Sequence, residues 1–364
     1  MTRRTTLFGI LAAVILLGGV GFLYVKHIWE NFLVTPIVTA NEGYQYTVQT
    51  GASYKTVTAD LDRLHIITHP YLFTLLFQKR GDMRHLKAGE YLFPAGTTPN
   101  KLIDQIVNGT GMVYHSFTIV PGMNFMQLRQ ALDKNRHLNH ATQKLTDAAI
   151  MQKLNMPGAF PEGMFYPNTY YFVENAPDLI VLKRAHAAMQ DKLMKAWNKR
   201  AAGLPFTTPY QALIAASIIE KEATVAAELP IIAGVMMNRL RQNILLQFDP
   251  TVIYGVWAHY NGVIHRSDLE ADNSYNTYIH KGLPPTPISM PDIHAIEAVM
   301  HPDANNYLYF VARGDGSTHQ FSRTLEEHNA AVAASRKFHP WFFNYVLVKE
   351  YLLNSSNNKI FNTN

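Results

Sequence analysis

Cysteine is absent from the 364 residues, which excludes disulfides, thiol catalysis and cysteine-ligated zinc or iron–sulfur centres, whatever the compartment. A large charge excess is missing as well: 32 Lys plus Arg stand against 27 Asp plus Glu. The resulting net charge of +5 mildly favours an anionic partner, and nucleic acid, anionic lipid and acidic cell-wall polymer all satisfy it. No H-E-x-x-H occurs among the 16 histidines. His137 and His140, or the scattered His265, His280, His301, His319 and His328, have no spacing that converges on a metal. Neither a metal nor another cofactor is expected. Apolar residues are plentiful, at 48%, enough over this length for real cores in two or three packed units.

One apolar run is exceptional. Leu7 to Val25, "LFGILAAVILLGGVGFLYV", is nineteen residues without a charge, close to the roughly 20 that cross a bilayer as a helix. Arg3 and Arg4 precede it, which favours a cytoplasmic N-terminus (1–6) and the rest of the chain beyond the membrane. A cleaved signal peptide is the other reading. The length of the run, and its end at Val25-Lys26-His27 without a small-x-small site, favour a retained anchor over 7–25. Residues 26–43 read as a tether.

A pattern then repeats. "YQYTVQTGASYKTVTADL" reads as an alternating strand, a turn at Gly51 and a helix opening near Ser53. "GEYLFPAGTTPNKLIDQIVNG" repeats it, with Gly96 at the turn, Thr98 as cap, Pro99 at the first helical position and Asn108-Gly109 as the stop. "HSFTIVPGMNFMQLRQALDKN" is a third pass, turning at Pro121-Gly122. Such short units cannot bury their apolar faces alone, so they are expected to pack as one small α+β module. The first copy resembles the start of a LysM domain, which leaves a glycan binder and a plain spacer both open for residues 44–112.

Residues 113–338 form the larger part. Thr142 to Leu204 reads as mostly helical, broken by "FPEGMFYPNTYYF" from Phe160 to Phe172, where Pro161, Gly163 and Pro167 forbid a long helix. Glu162, alone between Pro and Gly, reads as a turn residue rather than a catalyst.

The chemistry gathers in "ASIIEKEATVAAE", Ala216 to Glu228. Gln211 to Ala227 lacks Gly and Pro, and Ala212 to Ile219 is apolar except for Ser217, so a largely buried helix is expected. At about 100° per residue, Glu220 and Glu222 point roughly 200° apart and cannot flank one reacting group from the same face. Helical phase groups Glu222 with Ile218, Ile219, Val225 and Ala226. It groups Glu220 with Ala216, Ser217, Ala223 and Thr224. An acid among apolar neighbours resists ionisation and can serve as general acid, which ranks Glu222 first and leaves Glu220 as a hydrogen-bonded support. A solvated helix end is the bland alternative for both.

Further along, "LPIIAGVMMNRLRQ" reads as a helix with Pro230 at its start and Arg239 in its closing turns. In "LLQFDPTVIYG", Asp249 reads as the cap of another helix that closes at Gly255. "YLYFVARGDGSTHQFSRTLEEHN" reads as two strands joined at Asp315-Gly316, then a capped helix.

Together, E-K-E-A-x-V-A-x-E, N-R-L, L-Q-x-D-P-T-V-I-Y-G, Y-N-T-Y, G-L-P-P, Y-L-Y-F-V and H-x-F followed by H-N closely resemble the YceG-like endolytic murein transglycosylases, as does "EGMFYPNTY". The likeness runs from the membrane anchor to about Asn329. It implies an α+β fold: one transmembrane helix, a small LysM-like module and a mixed helical and strand catalytic domain. It also implies an anchor in the inner, cytoplasmic membrane with the catalytic domain on the extracytoplasmic side. The implied reaction cuts the MurNAc–GlcNAc bond inside peptidoglycan strands without a water nucleophile: the sugar's own 6-hydroxyl attacks and leaves a 1,6-anhydro end.

In that family the second glutamate of E-K-E is the catalytic acid, which maps onto Glu222. One carboxyl suffices for an internal attack, whereas an ordinary glycosidase needs two. Gln247, Tyr254, Asn276 and Tyr278 are the polar members of matching motifs and are expected in the saccharide cleft. Tyr254 and Tyr278 could equally be core tyrosines, and Asn276 a turn cap. Arg239 could steer acidic stem peptides or pair with Glu220. The implied partners are glycan strands and the membrane, with the polymerases that make those strands as a further candidate, and not nucleic acid.

Three positions depart from the family pattern: Asn168 where Asp is frequent, Thr286 where Gly follows G-L-P-P, and Asp292 where Gly follows the Pro. The functional alternative is a membrane-anchored peptidoglycan-binding scaffold without catalysis. The tail, 339–364, is too short and broken to span a bilayer and is expected to pack on the body or rest at an interface.

Overall fold

The computed structural model describes residues 3–39, 42–222, 225–315 and 317–336. The tail at 339–364, and Ala223 and Thr224 beside the E-K-E motif, lie outside the described residues. Two compact units share the chain: 1–116 with 171–176, and 117–170 with the residues from 177 onward.

The first unit opens with α1, Arg3–Val34. Its stretch Phe8–Val34 is long and apolar enough to cross a membrane, and its most apolar eighteen residues are unburied. The helix does not stop at Val25, so the first part of the expected tether is helical. Its last turns carry Phe32, buried in the unit's core, with Trp29 and Leu33 packed beside it. An aromatic ring removed from water there stabilises by roughly 2 kcal/mol, reason enough for the helix to run on.

Strand β1 (Tyr44–Val48) pairs antiparallel with β2 (Gly89–Phe93), Tyr44 opposite Phe93 and Val48 opposite Gly89. Two helices lie between them in sequence: α2 (Tyr54–Arg63) and α3 (Pro70–Arg80). Ser53 caps α2 by accepting the Thr56 N–H. After β2, Thr98 caps α4 (Pro99–Asn108), and Gly109 closes it in the left-handed region that glycine tolerates best. Val57, Leu61, Phe73, Phe77, Phe93 and Ile106 are fully enclosed between these elements. Strand β3 (Tyr114–Thr118) follows.

The third pass of the repeat has the expected local form but does not join this module. Its helix, α5 (Phe125–Lys134), belongs to the second unit. A reciprocal capping box between Asn124 and Gln127 opens it.

The second unit continues through β4 (Leu138–Asn139) and α6 (Asp147–Lys153); the chain then runs through β5 (Thr169–Val173), which pairs with β3 and enters the first unit at 171, and β6 (Ala176–Pro177), where it returns to the second. Then come the helices that frame the site: α7 (Asp178–Asn198), α8 (Pro209–Glu222), α9 (Leu229–Arg241), α10 (Asp249–Gly255), α11 (Arg266–Glu270) and α12 (Ile293–Met300). Helix α12 packs against α7, α8 and α9. Ala212 to Ile219 of α8 are all buried, so this helix is apolar around its circumference because it is enclosed around its circumference. A hairpin of β7 (Tyr309–Ala312) and β8 (His319–Ser322) pairs Tyr309 with Ser322, and α13 (Leu325–Arg336) packs on it.

Candidate functional site

The site grows from the C-terminal end of α8. Ser217 is the one polar side chain in the buried run, and it anchors a neighbouring segment. It accepts the Ile288 N–H at 3.0 Å, while Ser289 Oγ donates to the Ser217 carbonyl at 2.9 Å. Four residues further on, the Asp292 N–H meets Glu220 Oε2 at 2.9 Å. Segment 287–292 is thereby fastened along the last turns of α8. The other edge of this segment pairs with the loop before α5: Gly122 N–H donates to the Met290 carbonyl at 2.9 Å, and Met290 N–H to the Met123 carbonyl at 2.7 Å. Lys221 Nζ reaches the Gly122 carbonyl at 3.3 Å.

Helix α8 ends at Glu222, and a separate short 3-10 turn occupies Ala226–Glu228. Val225 and Ala226 therefore do not extend the face of Glu222, and the expected helix to Ala227 is shorter. The ranking of the two acids by helical neighbours changes with it. Burial pushes the Glu220 carboxyl up to about 7, against the Asp292 N–H that lowers it; the Asp292 carboxylate adds to the rise and Lys221 opposes it. Glu222, the last described residue of α8, is half-buried.

A second buried acid belongs to this cluster. Glu162, read from sequence as a turn residue, is 2% exposed. The Phe125 N–H, first in α5, lies 3.0 Å from both of its carboxylate oxygens, and the Tyr254 hydroxyl donates to Oε2 at 3.0 Å. Burial raises its carboxyl to about 7, while the N–H groups of Phe125 and Gly163 and the Tyr254 hydroxyl pull the other way. Its oxygens are thus met by N–H and O–H donors. Gly163 makes the bend possible: at φ +76° an added Cβ would lie 2.4 Å from Pro287 Cβ. The only sequence signal for Glu162 was an ionisable residue amid "FPEGMFYP", and nothing local showed that Phe125, 37 positions away, would hold it.

The expected cleft residues separate. Tyr254 is half-buried, its ring 4.8 Å from that of Tyr275 between centroids, and its hydroxyl is on Glu162. Gln247 takes the left-handed φ of +59°, with its N–H on the Thr277 carbonyl at 3.0 Å and Oε1 accepting from Arg239 at 2.9 Å. Arg239 is 6% exposed and donates to the carbonyls of Leu245, Leu246 and Leu308 and to Gln247, so its charge braces the loop after α9. Burial pulls its guanidinium down to about 10, still charged near neutrality.

Asn276 is fully enclosed: it donates to the carbonyls of Asp268, Leu269 and Ala271 and accepts the Tyr278 N–H, the turn-cap arrangement that was its other reading. Tyr278 is buried too, its hydroxyl on the Asp249 carboxylate. Asp249 is thus the first residue of α10 and holds Tyr278, where a capping role was expected.

Two of the departures have work to do. Asp292 caps α12 through the N–H groups of His294 and Ala295 while its own N–H serves Glu220. Thr286 accepts from the Tyr275 hydroxyl at 2.9 Å and donates to the Pro287 carbonyl at 2.8 Å. Asn168 turns its side chain onto the Thr169 N–H. Of the histidines, His319 presents Nδ1 to Glu228 at 2.6 Å, and His280 meets Asp272 at 2.8 Å.

Comparison with known proteins agrees with these motifs. The model of the YceG-like family matches residues 46–334. The endolytic murein transglycosylase of Bacillus subtilis (strain 168) is 28% identical over 333 residues, covering 87% of this chain and 90% of that one. The endolytic murein transglycosylase of Streptococcus pneumoniae serotype 2 (strain D39 / NCTC 7466) is 23% identical over 353 residues, covering 87% of this chain and 63% of that longer one. A crystal structure of a YceG-like protein from Listeria monocytogenes superposes with a TM-score of 0.50 at 27% identity, covering 80% of this chain and 99% of that one.

Proposed function

The chain belongs to the YceG-like family, and on that premise we propose that it is an endolytic peptidoglycan lytic transglycosylase whose general acid and base is Glu222. The substrate is the MurNAc–GlcNAc linkage within nascent glycan strands. The observation that carries this reading is the convergence of two segments, 121–125 and 287–292, on the end of α8 that bears the E-K-E motif, with Glu162 bonded to the first of them.

In the cycle, protonated Glu222 gives its proton to the glycosidic oxygen as the bond from the MurNAc anomeric carbon breaks. The 6-hydroxyl of the same MurNAc attacks that carbon, and the Glu222 carboxylate receives the hydroxyl proton. One acetal is exchanged for another, water is not consumed, and Glu222 ends as it began. Proton balance therefore asks for no cofactor. Glu220, fixed by the Asp292 N–H, supports the shape of the helix end. Tyr254 and Gln247 face the saccharide, and Arg239, Asn276 and Tyr278 act one step behind by holding the loops that carry them. Positive charge developing on the sugar is met by polar protein dipoles or by the neighbouring N-acetyl group.

Helix α1 serves as a single-pass anchor in the cytoplasmic membrane, with Arg3 and Arg4 on the cytoplasmic side and the catalytic unit outside. The β1–α2–α3–β2 module is the LysM-like part and holds glycan near the membrane; its strand, helix, helix, strand order supports that role. Polymerases that extrude nascent strands are the partners such a location favours.

The test uses the full chain in detergent with uncrosslinked glycan strands, the products read by mass spectrometry. Anhydro ends that vanish in Glu222→Gln are expected. Reducing ends would mean a hydrolase, and no cleavage would leave a binding scaffold.

A further inference from the structure

The single-acid cycle leaves Glu162 without a task, yet its surroundings are specific. It is enclosed, and among the described residues no Lys, Arg or His pairs with it. Both oxygens lie 3.0 Å from the Phe125 N–H, which fixes the plane of the carboxyl group. Phe125 follows closely on Met123, whose carbonyl binds the Met290 N–H, and Met290 lies two residues before Asp292, the partner of Glu220. A short chain of backbone bonds thus joins Glu162 to the E-K-E end of α8.

Beside the N–H groups of Phe125 and Gly163, Glu162 has a hydroxyl partner. A phenol carries one proton and otherwise accepts, and an ionised carboxylate only accepts, so the direction of the 3.0 Å bond is forced: Tyr254 donates to Glu162. The tilted Tyr275 ring, 4.8 Å away between centroids, confines the Tyr254 ring. We propose that Glu162 is a positioning residue for glycan cleavage: by accepting the Tyr254 O–H in a hydrogen bond it leaves the phenol oxygen to accept a hydroxyl or acetamido N–H of the bound sugar. This rests on the reading that Tyr254 faces the saccharide.

Protonation of Glu162 inverts the arrangement. With two N–H groups already aimed at the carboxyl, a new proton is best placed on the oxygen facing Tyr254, whose hydroxyl must then accept inward and donate outward. A sugar donor would meet a donor. The other ionisable groups whose charge reaches this bond are Asp147, itself paired with Arg129 at 2.6 Å, and the phenols of Tyr210 and Tyr275. Burial brings Glu162 to about 7, so the inversion falls in an accessible range. Glu162→Gln keeps the shape and makes the inversion permanent, because the amide can donate where the carboxylate accepted.

The test measures kcat/KM for anhydro-end formation by the full chain in detergent, against pH, for the wild type, Glu162→Gln, Tyr254→Phe and the double variant. Each single change is expected to lower kcat/KM about tenfold, and the double variant should be no worse than the poorer single. Glu220 titrates over the same range, so the limb due to Glu162 is read as the difference between wild type and variant. That difference should be the same for both single variants. Losses that multiply in the double variant, or an unchanged kcat/KM in Glu162→Gln, would overturn the proposal. Should Glu162→Gln not fold, Tyr254→Phe decides alone: retention of the full wild-type limb overturns it. A wild-type protein that makes no anhydro ends at all defeats the transglycosylase reading itself, an outcome distinct from these.

Discussion

The backbone N–H of Asp292 meets the Glu220 carboxylate at 2.9 Å across 72 positions of sequence, tying the start of α12 to the end of α8. A residue held in this way shapes the site, whereas the proposed cycle passes its proton through Glu222. Glu222→Gln is therefore expected to lower anhydro-end formation by about 10² to 10⁴-fold. Glu220→Gln keeps an acceptor for Asp292 and should cost about tenfold. Product analysis on both variants checks this, and a reversed order would transfer the acid role to Glu220.

Stability should fall as pH rises towards neutrality. Burial lifts both Glu162 and Glu220 from 4.5 to about 7, so between those values the folded chain binds more protons than the unfolded one. Their contribution is complete below about 4.5 and is lost as pH rises through about 7. Glu162, the more enclosed, accounts for roughly 3 kcal/mol of this. Melting of Glu162→Gln followed by circular dichroism should show a flatter profile over that window, and an identical slope would refute it.

Arg239 should behave as a structural cation. Removing it leaves the carbonyls of Leu245, Leu246 and Leu308 and the Gln247 amide short of a donor inside the protein. Arg239→Met is expected to destabilise by about 3 kcal/mol or more. Arg239→Lys should recover only part of it, since an ammonium cannot span the same fork of acceptors. Thermal unfolding of the two variants gives the comparison.

Gly163→Ala combines two penalties: a left-handed φ of +76° and a Cβ 2.4 Å from Pro287 Cβ. A loss of about 2 kcal/mol is expected, with displacement of the 287–292 segment. Hydrogen exchange at Ile288 and Met290 should rise, since these N–H groups are bonded to Ser217 and Met123.

Glu228 clamps the β7–β8 hairpin by accepting both the backbone N–H of His319, at 3.0 Å, and its Nδ1, at 2.6 Å. Glu228→Gln should weaken this clamp by about 1–2 kcal/mol. Faster amide exchange confined to 319–322, with α8 unchanged, is the expected signature.

Local physics made much of this fold readable in the sequence. Ser53 and Thr98 cap the helices that follow the turn glycines Gly51 and Gly96, and an uncharged run marked α1. The end of α8 was harder, because no Gly or Pro interrupts "EKEATVAAE" and only packing decides where the helix stops. The third repeat shows a similar limit. Its strand, turn and helix are locally right, but which core its helix joins is a long-range choice.

For the site, the sequence by itself determined which residue types stand together: two glutamates on one helix end, and a set of polar motifs that mark a glycan-cutting family. Tertiary structure decided their circumstances. It enclosed Arg239, Asn276 and Tyr278, and it drew Glu162 from a loop to Tyr254 and Phe125. Periodicity and capping act over a few residues and are written in the local sequence. Desolvation and hydrogen bonding depend on which distant segments close around a group, so whether a carboxyl is a wet turn residue or a buried acid is settled only when the chain has folded.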